Sequence, residues 1–419
     1  MNYLLKNTTV LDPASSHFNT KKDILIEDGI LQKIAPQIEE GDATVIQGEG
    51  LHASQSWVDL KADFCDPGRE INEDIQSGLL TAVNGGFGHV FIVPSTDPVV
   101  DSKSQIKYIQ SQVNDSVADI HAIGAITKGL KGDNLAEMYD MYSQGVRLFS
   151  DDTKELSAGI LYRALLYCQN FGGQLVSFPQ NRSLSANGQV NEGISSLKTG
   201  LQPIPAISEV IQVERDLQLM EYTNATLHFN GISCAASVEL IRKAKAKGQP
   251  VSCDVHAHQL IFTELDTLNY DTNHKVFPPF RTEEDRLALC RGISDGTIDG
   301  IVSNHQPRRK EEKDIEFDHA SFGNITLQTL FASLNQVKEL TTADIIKCIT
   351  VFPRKIANFE RDTALEEGNV VDITLFNPTV EWTFNVDINS SKSKNSPFSG
   401  HTFKGKAIAI VKEKKLHKI

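Results

Sequence analysis

Several features that define other classes of protein are scarce in this chain of 419 residues. Its six cysteines are scattered and form no Cys-x-x-Cys pair, so the sequence predicts reduced thiols rather than a disulfide scaffold or a cysteine-based zinc finger. No segment approaches the roughly 18 consecutive apolar residues that a membrane span needs. Residues 1–12 also lack the basic segment and apolar run of a secretory signal. We therefore expect a cytoplasmic protein without a membrane partner.

Positive charge is scarce as well, because 54 aspartates and glutamates outnumber 41 lysines and arginines and the formal net charge is −13. A nucleic-acid-binding protein needs a basic stripe that replaces phosphate counterions. The basic runs here are short: residues 308–310 are followed at once by Glu311 and Glu312, and residues 412–418 form a lysine-rich tail. Both are typical of solvated surface, so we expect no nucleic-acid partner.

The order of β-rich and amphipathic stretches indicates an α/β protein. The two ends of the chain contain short β-rich runs separated by turn residues, for example 371–376, 381–386 and 407–411. Between the ends, β-branched runs alternate with stretches of helical periodicity such as 157–170 and 235–247. The β-branched runs are 57–64, 89–94, 119–127, 146–152, 174–178, 226–232, 251–258 and 301–305.

Such an alternation of eight units predicts a (β/α)8 barrel of the TIM type over residues 55–365. Residues 1–54 and 366–419 are predicted to pair as one small β-sandwich domain formed by both termini. In a barrel of this type the chemistry lies at the C-terminal ends of the strands and in the loops that follow. Candidate functional residues are therefore expected there.

Motifs at these positions resemble those of one enzyme family. Residues 58–68, VDLKADFCDPG, resemble the dihydroorotase signature D-x-H-x-H-x-R-x-P-G of the first barrel strand, and residues 391–400, SKSKNSPFSG, resemble the C-terminal S-K-x-x-N-T-P-F-x-G. Further stretches match in family order: 93–98, 149–152, 178–184 with 188–193, 228–234, 275–281 and 296–307. The chain thus resembles class I dihydroorotases of the amidohydrolase superfamily over nearly its whole length. The resemblance implies a place in pyrimidine biosynthesis.

Active members of that family hold zinc, which lowers the pKa of a bound water and so generates hydroxide near neutral pH. Their ligands are two histidines of strand 1, an aspartate after strand 4, histidines after strands 5 and 6, and an aspartate after strand 8 that also moves the proton. At these positions the chain has, in order, Lys61, Asp63, Asp152, Phe178, Gly231 and Asn304. Only the strand 4 aspartate is kept, as Asp152 or its neighbour Asp151.

The resemblance therefore implies lost ligands and lost catalysis. Phe178 and Gly231 offer no donor atom, and the amide of Asn304 cannot act as a general base. We expect no bound metal, no other cofactor and no catalytic residue. The family's substrate positions have changed too: they are occupied by Cys65, Ser95, Phe277 and Arg308. Because a cysteine cannot replace a bidentate arginine clamp, we expect no dihydroorotate binding.

One of these substitutions, Lys61, introduces a positively charged side chain at a ligand position. Lys61 and Asp63 stand two residues apart on a predicted strand, so their side chains share one face. An ammonium group at a cation site supplies charge to carboxylates that would otherwise be buried unpaired. We hypothesise that Lys61 replaces the metal electrostatically for both Asp63 and Asp152.

Other histidines near the strand ends have simpler explanations. Asp254, His256 and His258 alternate along one strand and present a possible relocated metal site. A metal, however, needs ligands that converge from several strands, and we weigh this alternative well below a structural role. His228 and His305 match framework positions of the family and are predicted to be structural.

Two functions from different classes remain open. The first is a pseudo-dihydroorotase with a structural or assembly role, since inactive members of the family associate with aspartate transcarbamoylase; as relatives are commonly dimers, we expect a homo-oligomer. The second is an active dihydroorotase, or another cyclic-amide hydrolase, that uses a reduced or relocated metal site.

Overall fold

The structure, a computed structural model, describes residues 2–113 and 115–419. The strands in these ranges are β1 (Tyr3–Val10), β2 (Thr20–Glu27), β3 (Ile30–Ala35), β4 (Thr44–Ile46), β5 (His52–Gln55), β6 (Trp57–Ala62), β7 (Phe87–Ile92), β8 (Asp119–Ala122), β9 (Leu148–Phe149), β10 (Gln174–Ser177), β11 (Val190–Asn191), β12 (Pro203–Ile204), β13 (Leu227–Phe229), β14 (Val251–His256), β15 (Gly300–Val302), β16 (Asp372–Thr383), β17 (Thr402–Lys412) and β18 (Lys415–Lys418).

The α-helices are α1 (Ile75–Asn84), α2 (Lys103–Ser111), α3 (Met138–Tyr142), α4 (Ala158–Cys168), α5 (Arg182–Ser185), α6 (Ile194–Thr199), α7 (Ile207–Thr223), α8 (Ala235–Ala246), α9 (Glu283–Ser294), α10 (Lys310–Lys313), α11 (Leu330–Leu334), α12 (Thr342–Ile349) and α13 (Val351–Ile356). Short 3-10 helices occur at Lys128–Leu130, Ala257–Leu260, Glu264–Thr267, Thr272–His274 and Leu327–Thr329. Among the helices of the described ranges, none is both long and apolar enough to cross a membrane.

Strands from both ends of the chain pair in one sheet, in the order β18-β17-β16-β5-β1-β2-β3, with β4 beside β1. The runs predicted separately at 371–376 and 381–386 both enter the single strand β16, whose register shifts between Asn377 and Glu381. Pro378 lies in this irregular stretch, where its missing N–H leaves no ladder hydrogen bond unmade. The division of these residues into a separate β-sandwich domain stays a prediction.

Eight parallel strands lie at the predicted positions. β6, β7 and β8 form one sheet, and β9, β10, β13, β14 and β15 form a second in that order. Single parallel bridges, Gly124 to Phe149 and Ala62 to His305, connect the two sheets at both edges. A buried apolar cluster contains residues of β6, β7, β9, β10 and β15, among them Leu60, Phe91 and Val302. The chain is therefore an α/β protein, as predicted.

The helices between these strands begin and end where the sequence indicates. The helix predicted at 157–170 is α4, and its N-cap Ser157 accepts a hydrogen bond from the Ile160 N–H. The helix predicted at 235–247 is α8, which ends just before Gly248, a glycine with a φ of 76°. Both predictions are confirmed.

Candidate functional site

The residues at the family's ligand positions lie where the parallel strands end. Lys61 belongs to β6 and Asp63 follows it directly, while the other four positions follow β9, β10, β13 and β15. A cavity of about 280 Å³ opens at these strand ends. Seven of the predicted site positions line it: Lys61, Asp63, Ser95, Asp152, Phe277, Asn304 and Arg308. The fold thus collects residues that are up to 247 positions apart in the sequence, from Lys61 to Arg308.

Lys61 is buried, with an exposed fraction of 4%. Its Nζ donates a hydrogen bond of 2.6 Å to Asn230 Oδ1 and lies 3.6 Å from Asp152 Oδ1. The same ammonium stands 4.8 Å from the centroid of the Phe178 ring, within cation–π range. Lys61 is therefore paired with Asp152, and an amide and an aromatic face complete its surroundings.

Asp63 has other cations as partners. Arg69 Nη2 contacts both carboxylate oxygens, at 2.9 and 3.1 Å, and Arg308 Nη1 lies 3.8 Å from Oδ2. The Cys65 N–H adds a hydrogen bond of 2.8 Å to Oδ1. The hypothesis that Lys61 serves both aspartates is therefore wrong for Asp63, because an arginine of the adjoining loop occupies that carboxylate.

Cys65 does not act as a replacement clamp in this geometry. Its side chain is fully buried, and burial together with the nearby Asp63 raises the pKa of the Cys65 thiol. A neutral thiol carries no charge for a carboxylate ligand. The positive charge beside Cys65 is that of Arg69, which pairs with Asp63.

The two neighbouring aspartates after β9 have separate tasks. Asp152, with a φ of 54°, turns into the cavity and accepts a hydrogen bond of 2.7 Å from Ser95 Oγ. Asp151 accepts the backbone N–H groups of Ile126 and Thr127, at 2.8 and 2.9 Å. The alternative between them is thus decided by geometry: Asp152 faces Lys61, and Asp151 fixes the backbone of a neighbouring loop.

The residues present do not fit a zinc pair. Phe178 presents a ring that packs 5.4 Å from the ring of Phe277. Gly231 has a φ of 71°, and a Cβ at this position would lie 2.4 Å from His256 Nε2, so a histidine here would collide with the buried ring. Of the six positions, Asp63 and Asp152 are the two that carry a carboxylate, and each already faces a cation. No catalytic step through a metal can be built on this set.

The strand β14 does not supply a relocated site. Asp254 accepts hydrogen bonds from Asn230 Nδ2, the Gly231 N–H and His228 Nε2, between 2.7 and 2.9 Å. Burial and the charge of Lys61 hold the pKa of His256 well below its usual range. Within the described ranges, the residues of β14 form no group of three donors close enough to share a metal ion.

A second cluster, which the sequence reasoning missed, lies at the opposite ends of the strands. His89 Nδ1 is 3.1 Å from His121 Nε2 and 3.5 Å from Asp119 Oδ2. These donor types suit a metal such as zinc. Lys412 Nζ, however, donates to Asp119 Oδ2 at 2.6 Å and so occupies the carboxylate. The register neighbours His89 and Asp119 both begin predicted β runs, which is the signal that could have revealed their contact.

Asp59 and Arg281 each make buried contacts with residues that are distant in the sequence. Asp59 accepts hydrogen bonds from the N–H and the hydroxyl of Ser303, and burial raises the pKa of Asp59 to about 7. Arg281 donates to Ser233 Oγ and to the Ile204 carbonyl. The first contact joins β6 to the residue after β15, and the second joins the loop before α9 to β12 and to the loop before α8.

Comparison with solved structures defines the class of fold. L-Hydantoinase (dihydropyrimidinase) from Arthrobacter aurescens superposes with a TM-score of 0.86 at 20% identity, over 99% of this chain and 95% of that chain. A dihydropyrimidinase from Brevibacillus agri NCHU1002 has a TM-score of 0.83 at 18% identity, again over 99% and 95%. The chain therefore has the fold of the hydantoinase group of amidohydrolases.

Comparison of sequences defines the family. The model of the family described as "Dihydro-orotase-like" matches residues 54–237. A dihydroorotase from Syntrophotalea carbinolica is 38% identical over 98% of this chain and 97% of its own length. A dihydroorotase from Geotalea daltonii is 36% identical over the full length of both chains. The chain belongs to the dihydroorotase family of amidohydrolases.

Proposed function

We propose that this protein is a catalytically inactive member of the dihydroorotase family that keeps the fold of pyrimidine-pathway relatives for a structural role. The observation that carries the proposal is the position of Lys61, whose ammonium lies 3.6 Å from Asp152, the one kept ligand. A bound divalent cation at this carboxylate would meet a buried positive charge. At Phe178, Gly231 and Asn304 the chain lacks the two imidazoles and the carboxylate that the family has at these positions.

The retained frame supports an architectural role. We infer that the eight parallel strands close into one (β/α)8 barrel, since the bridges at Gly124–Phe149 and Ala62–His305 connect both edges of the two sheets. An inactive barrel that stays this complete is consistent with selection for assembly. The partner we propose is aspartate transcarbamoylase, together with self-association of the chain, on the strength of the family resemblance.

A second candidate function is a hydrolase acting on dihydroorotate or another cyclic amide. The relatives named dihydroorotase, and the donor group formed by His89, Asp119 and His121, favour it. That group lies at the ends of the strands opposite to the family's site, however, and its aspartate is paired with Lys412. The geometry therefore favours the inactive protein over this second candidate.

The deciding experiment measures metal and turnover on the same preparation. The full chain, freed of any affinity tag, is analysed for bound zinc and assayed for dihydroorotate hydrolysis with and without added Zn²⁺. We expect no turnover above the background rate at any zinc concentration. Turnover that rises with bound zinc overturns the proposal, and its loss in His121→Ala would assign it to the second cluster. Co-purification with aspartate transcarbamoylase of the same organism tests the assembly role, and a chain that elutes apart from it contradicts that role.

A further inference from the structure

Three side chains that can bind a metal lie together near the beginning of β7 and β8, at the strand ends opposite to the family's ligand positions. His89 and Asp119 are paired in register across these two strands, and His121 stands two residues further along β8. Because side chains two residues apart on a strand share a face, all three lie on the same side of the sheet. Their donor atoms lie within 4.8 Å of one another.

The distances between these donors suit one small cation. His89 Nδ1 lies 3.1 Å from His121 Nε2 and 3.5 Å from Asp119 Oδ2. Two ligands of a tetrahedral zinc ion, each about 2.0–2.2 Å from the metal, stand roughly 3.3–3.6 Å apart. Zinc therefore fits among the three groups after small movements of the side chains. Two imidazoles and one carboxylate form a set that leaves the fourth position to water.

The other ring nitrogen of His89 is held by a carboxylate. His89 Nε2 lies 2.9 Å from Asp372 Oδ2, an oxygen that Arg354 also contacts at 2.8 Å. An Nε2–H group that donates to Asp372 leaves the lone pair on Nδ1, the nitrogen that faces His121. A carboxylate at this position is typical of metal-binding histidines, since it fixes the tautomer and the orientation of the ring.

Aromatic rings hold His121 in place. The His121 ring stacks on Phe91, with centroids 4.5 Å apart and an angle of 18° between the planes, and Phe359 packs 5.5 Å away. Burial lowers the pKa of His121 to about 3. The imidazole is therefore neutral near pH 7 and keeps a lone pair for a metal ion.

The three donors line a cavity of about 380 Å³. Two pairs of opposite charge also line it, Arg147 with Glu360 at 3.2 Å and Arg361 with Glu413 at 3.5 Å. Because these charges compensate each other, they neither attract nor repel a cation strongly. The cavity gives a metal ion a path of entry and room for a water ligand.

Lys412 is the group that competes with a metal ion here. Its Nζ donates to Asp119 Oδ2 at 2.6 Å and to the Gly88 carbonyl at 3.1 Å. A carboxylate has about four lone-pair sites, so an ammonium group and a metal ion can both contact Asp119. The charge of Lys412 nevertheless opposes a second cation. Its removal should therefore strengthen metal binding.

We propose that His89, Asp119 and His121 bind a zinc ion that stabilises the junction between the terminal sheet and the parallel strands. Asp372 is the first residue of β16, so its contact with His89 connects the site to the terminal sheet. The proposal goes beyond the proposed function, because the site lies outside the family's ligand positions and its occupation requires no turnover. It departs from the sequence-based expectation of a chain without metal.

The test uses the full chain, freed of any affinity tag and dialysed against a chelator. Zn²⁺ is titrated in competition with a chromophoric chelator, and Mg²⁺, which prefers oxygen ligands, is the comparison. We expect saturable binding of one zinc ion per chain and no displacement of zinc by Mg²⁺. Saturating zinc should also raise the midpoint temperature of unfolding, since a ligand that binds only the folded chain stabilises it. No zinc binding, or binding without a change in the midpoint, overturns the proposal.

Variants locate the ion. His121→Ala is expected to weaken zinc binding by about tenfold or more and to abolish the effect of zinc on unfolding. His319→Ala is the control and should change neither, because that side chain is 73% exposed. Asp119→Asn, at a side chain that is 53% exposed, should also weaken binding and supplies a second variant if His121→Ala fails to fold. Unchanged zinc affinity in either folded variant places the ion elsewhere and contradicts the site.

Lys412→Met makes the opposite prediction. Without the competing ammonium, zinc should bind about tenfold more tightly than to the unchanged protein. An affinity that does not rise in this variant contradicts the shared carboxylate and with it the site. Turnover is assayed separately, so zinc binding without turnover supports both proposals, whereas turnover overturns the proposed inactivity alone.

Discussion

At the scale of single residues, the distinctive feature is that a buried ammonium stands where family members bind a cation. Lys61 donates to Asn230, faces Asp152 and contacts the ring of Phe178. Asn230 in turn contacts Asp254, since its Nδ2 donates to both carboxylate oxygens. The charges at the strand ends are therefore balanced by side chains of the protein itself.

Removal of this ammonium should destabilise the fold. In Lys61→Met the Asp152 carboxylate loses its facing cation while Asn230 loses its donor, and we expect the free energy of unfolding to fall by about 3 kcal/mol. Urea unfolding followed by circular dichroism measures this loss. The double variant Lys61→Met/Asp152→Asn should recover part of it, since no unpaired carboxylate remains. A double variant as unstable as the sum of the single changes would argue against the pairing.

Gly231 is a second residue that closes the former ligand site. We expect Gly231→Ala to lose about 1–3 kcal/mol more stability than Gly200→Ala, because a Cβ at 231 meets the buried His256 ring. Gly200 is the matched control: its φ of 73° carries the same left-handed strain, and a Cβ there has open space. Thermal or urea unfolding of both variants gives the comparison. Equal losses of stability in the two variants would show that the His256 ring moves aside at little cost.

At the scale of elements, two buried lysines fix the segment that follows α10. Lys313 Nζ donates to the carbonyls of Ser321 and Gly323, at 2.8 and 2.9 Å. Lys275 Nζ donates to the carbonyls of Phe317 and Asp318, at 2.7 and 3.0 Å. This segment carries Phe322, so the lysines hold one wall of the cavity through backbone contacts. Burial lowers the pKa of Lys313 to about 7 and that of Lys275 to about 8.

The lowered pKa of Lys313 predicts a pH dependence of stability. Between the folded pKa of about 7 and the unfolded value of 10.5, the unfolded chain binds the proton that the folded chain releases. Stability should therefore rise with pH in this window, and Lys313 should contribute a slope of about 1.4 kcal/mol per pH unit at most. Below pH 7 both states are protonated and this contribution is constant. The neighbouring charges of Arg308, Lys275 and Glu312 modify its size.

Urea unfolding at about pH 7.5, 8.5 and 9.5 checks this slope, because all three values lie between the folded and the unfolded pKa of Lys313. In Lys313→Met the slope of stability against pH should be smaller than in the unchanged protein, by up to about 1.4 kcal/mol per pH unit. Lys310→Met is the control, because Lys310 lies in the same helix with a side chain that is 83% exposed. A slope unchanged by Lys313→Met would show that the lysine titrates normally in the folded protein.

At the scale of the whole molecule, the terminal sheet and the parallel strands share buried contacts. Arg354 donates to Asp372 Oδ2 and to the Ser56 carbonyl, at 2.8 and 2.6 Å. His89 Nε2 lies 2.9 Å from the same carboxylate oxygen of Asp372. The neighbouring cations hold the pKa of Asp372 well below its usual range. The C-terminal strands thus complete the charge balance of the parallel strands.

The barrel region is therefore not expected to fold alone. A chain of residues 55–365 lacks Asp372, so Arg354 and His89 lose their common carboxylate, and Trp57 loses the ring of Phe376, 5.6 Å away. We expect this fragment to be insoluble or to lack near-ultraviolet circular dichroism. The full chain, expressed in parallel, is the control. A soluble fragment with the near-ultraviolet spectrum of the full chain would establish residues 55–365 as an independent domain.

Much of the fold and part of the site could be predicted from sequence. The eight β runs, α4 and α8 follow from local patterns, because alternation and helical periodicity are written in neighbouring residues. The merging of two predicted runs into β16 was missed, since Pro378 normally interrupts a strand and only pairing with β17 shows that it is tolerated. The cluster of His89 and His121 was missed because the two residues are 32 positions apart and come together only through the pairing of β7 with β8.

The sequence by itself determined the family and the identity of the groups at the ligand positions. A phenylalanine or a glycine side chain has no donor atom wherever the chain places it, and an asparagine amide cannot act as a general base. Only the tertiary structure decided which charges pair. Asp63 is matched by Arg69 rather than Lys61, Lys61 reaches Asn230 across 169 residues, and Arg182 and Arg308 share one cavity with Asn304. Those outcomes depend on distances of a few ångströms between strand ends, which the packing of the whole chain sets.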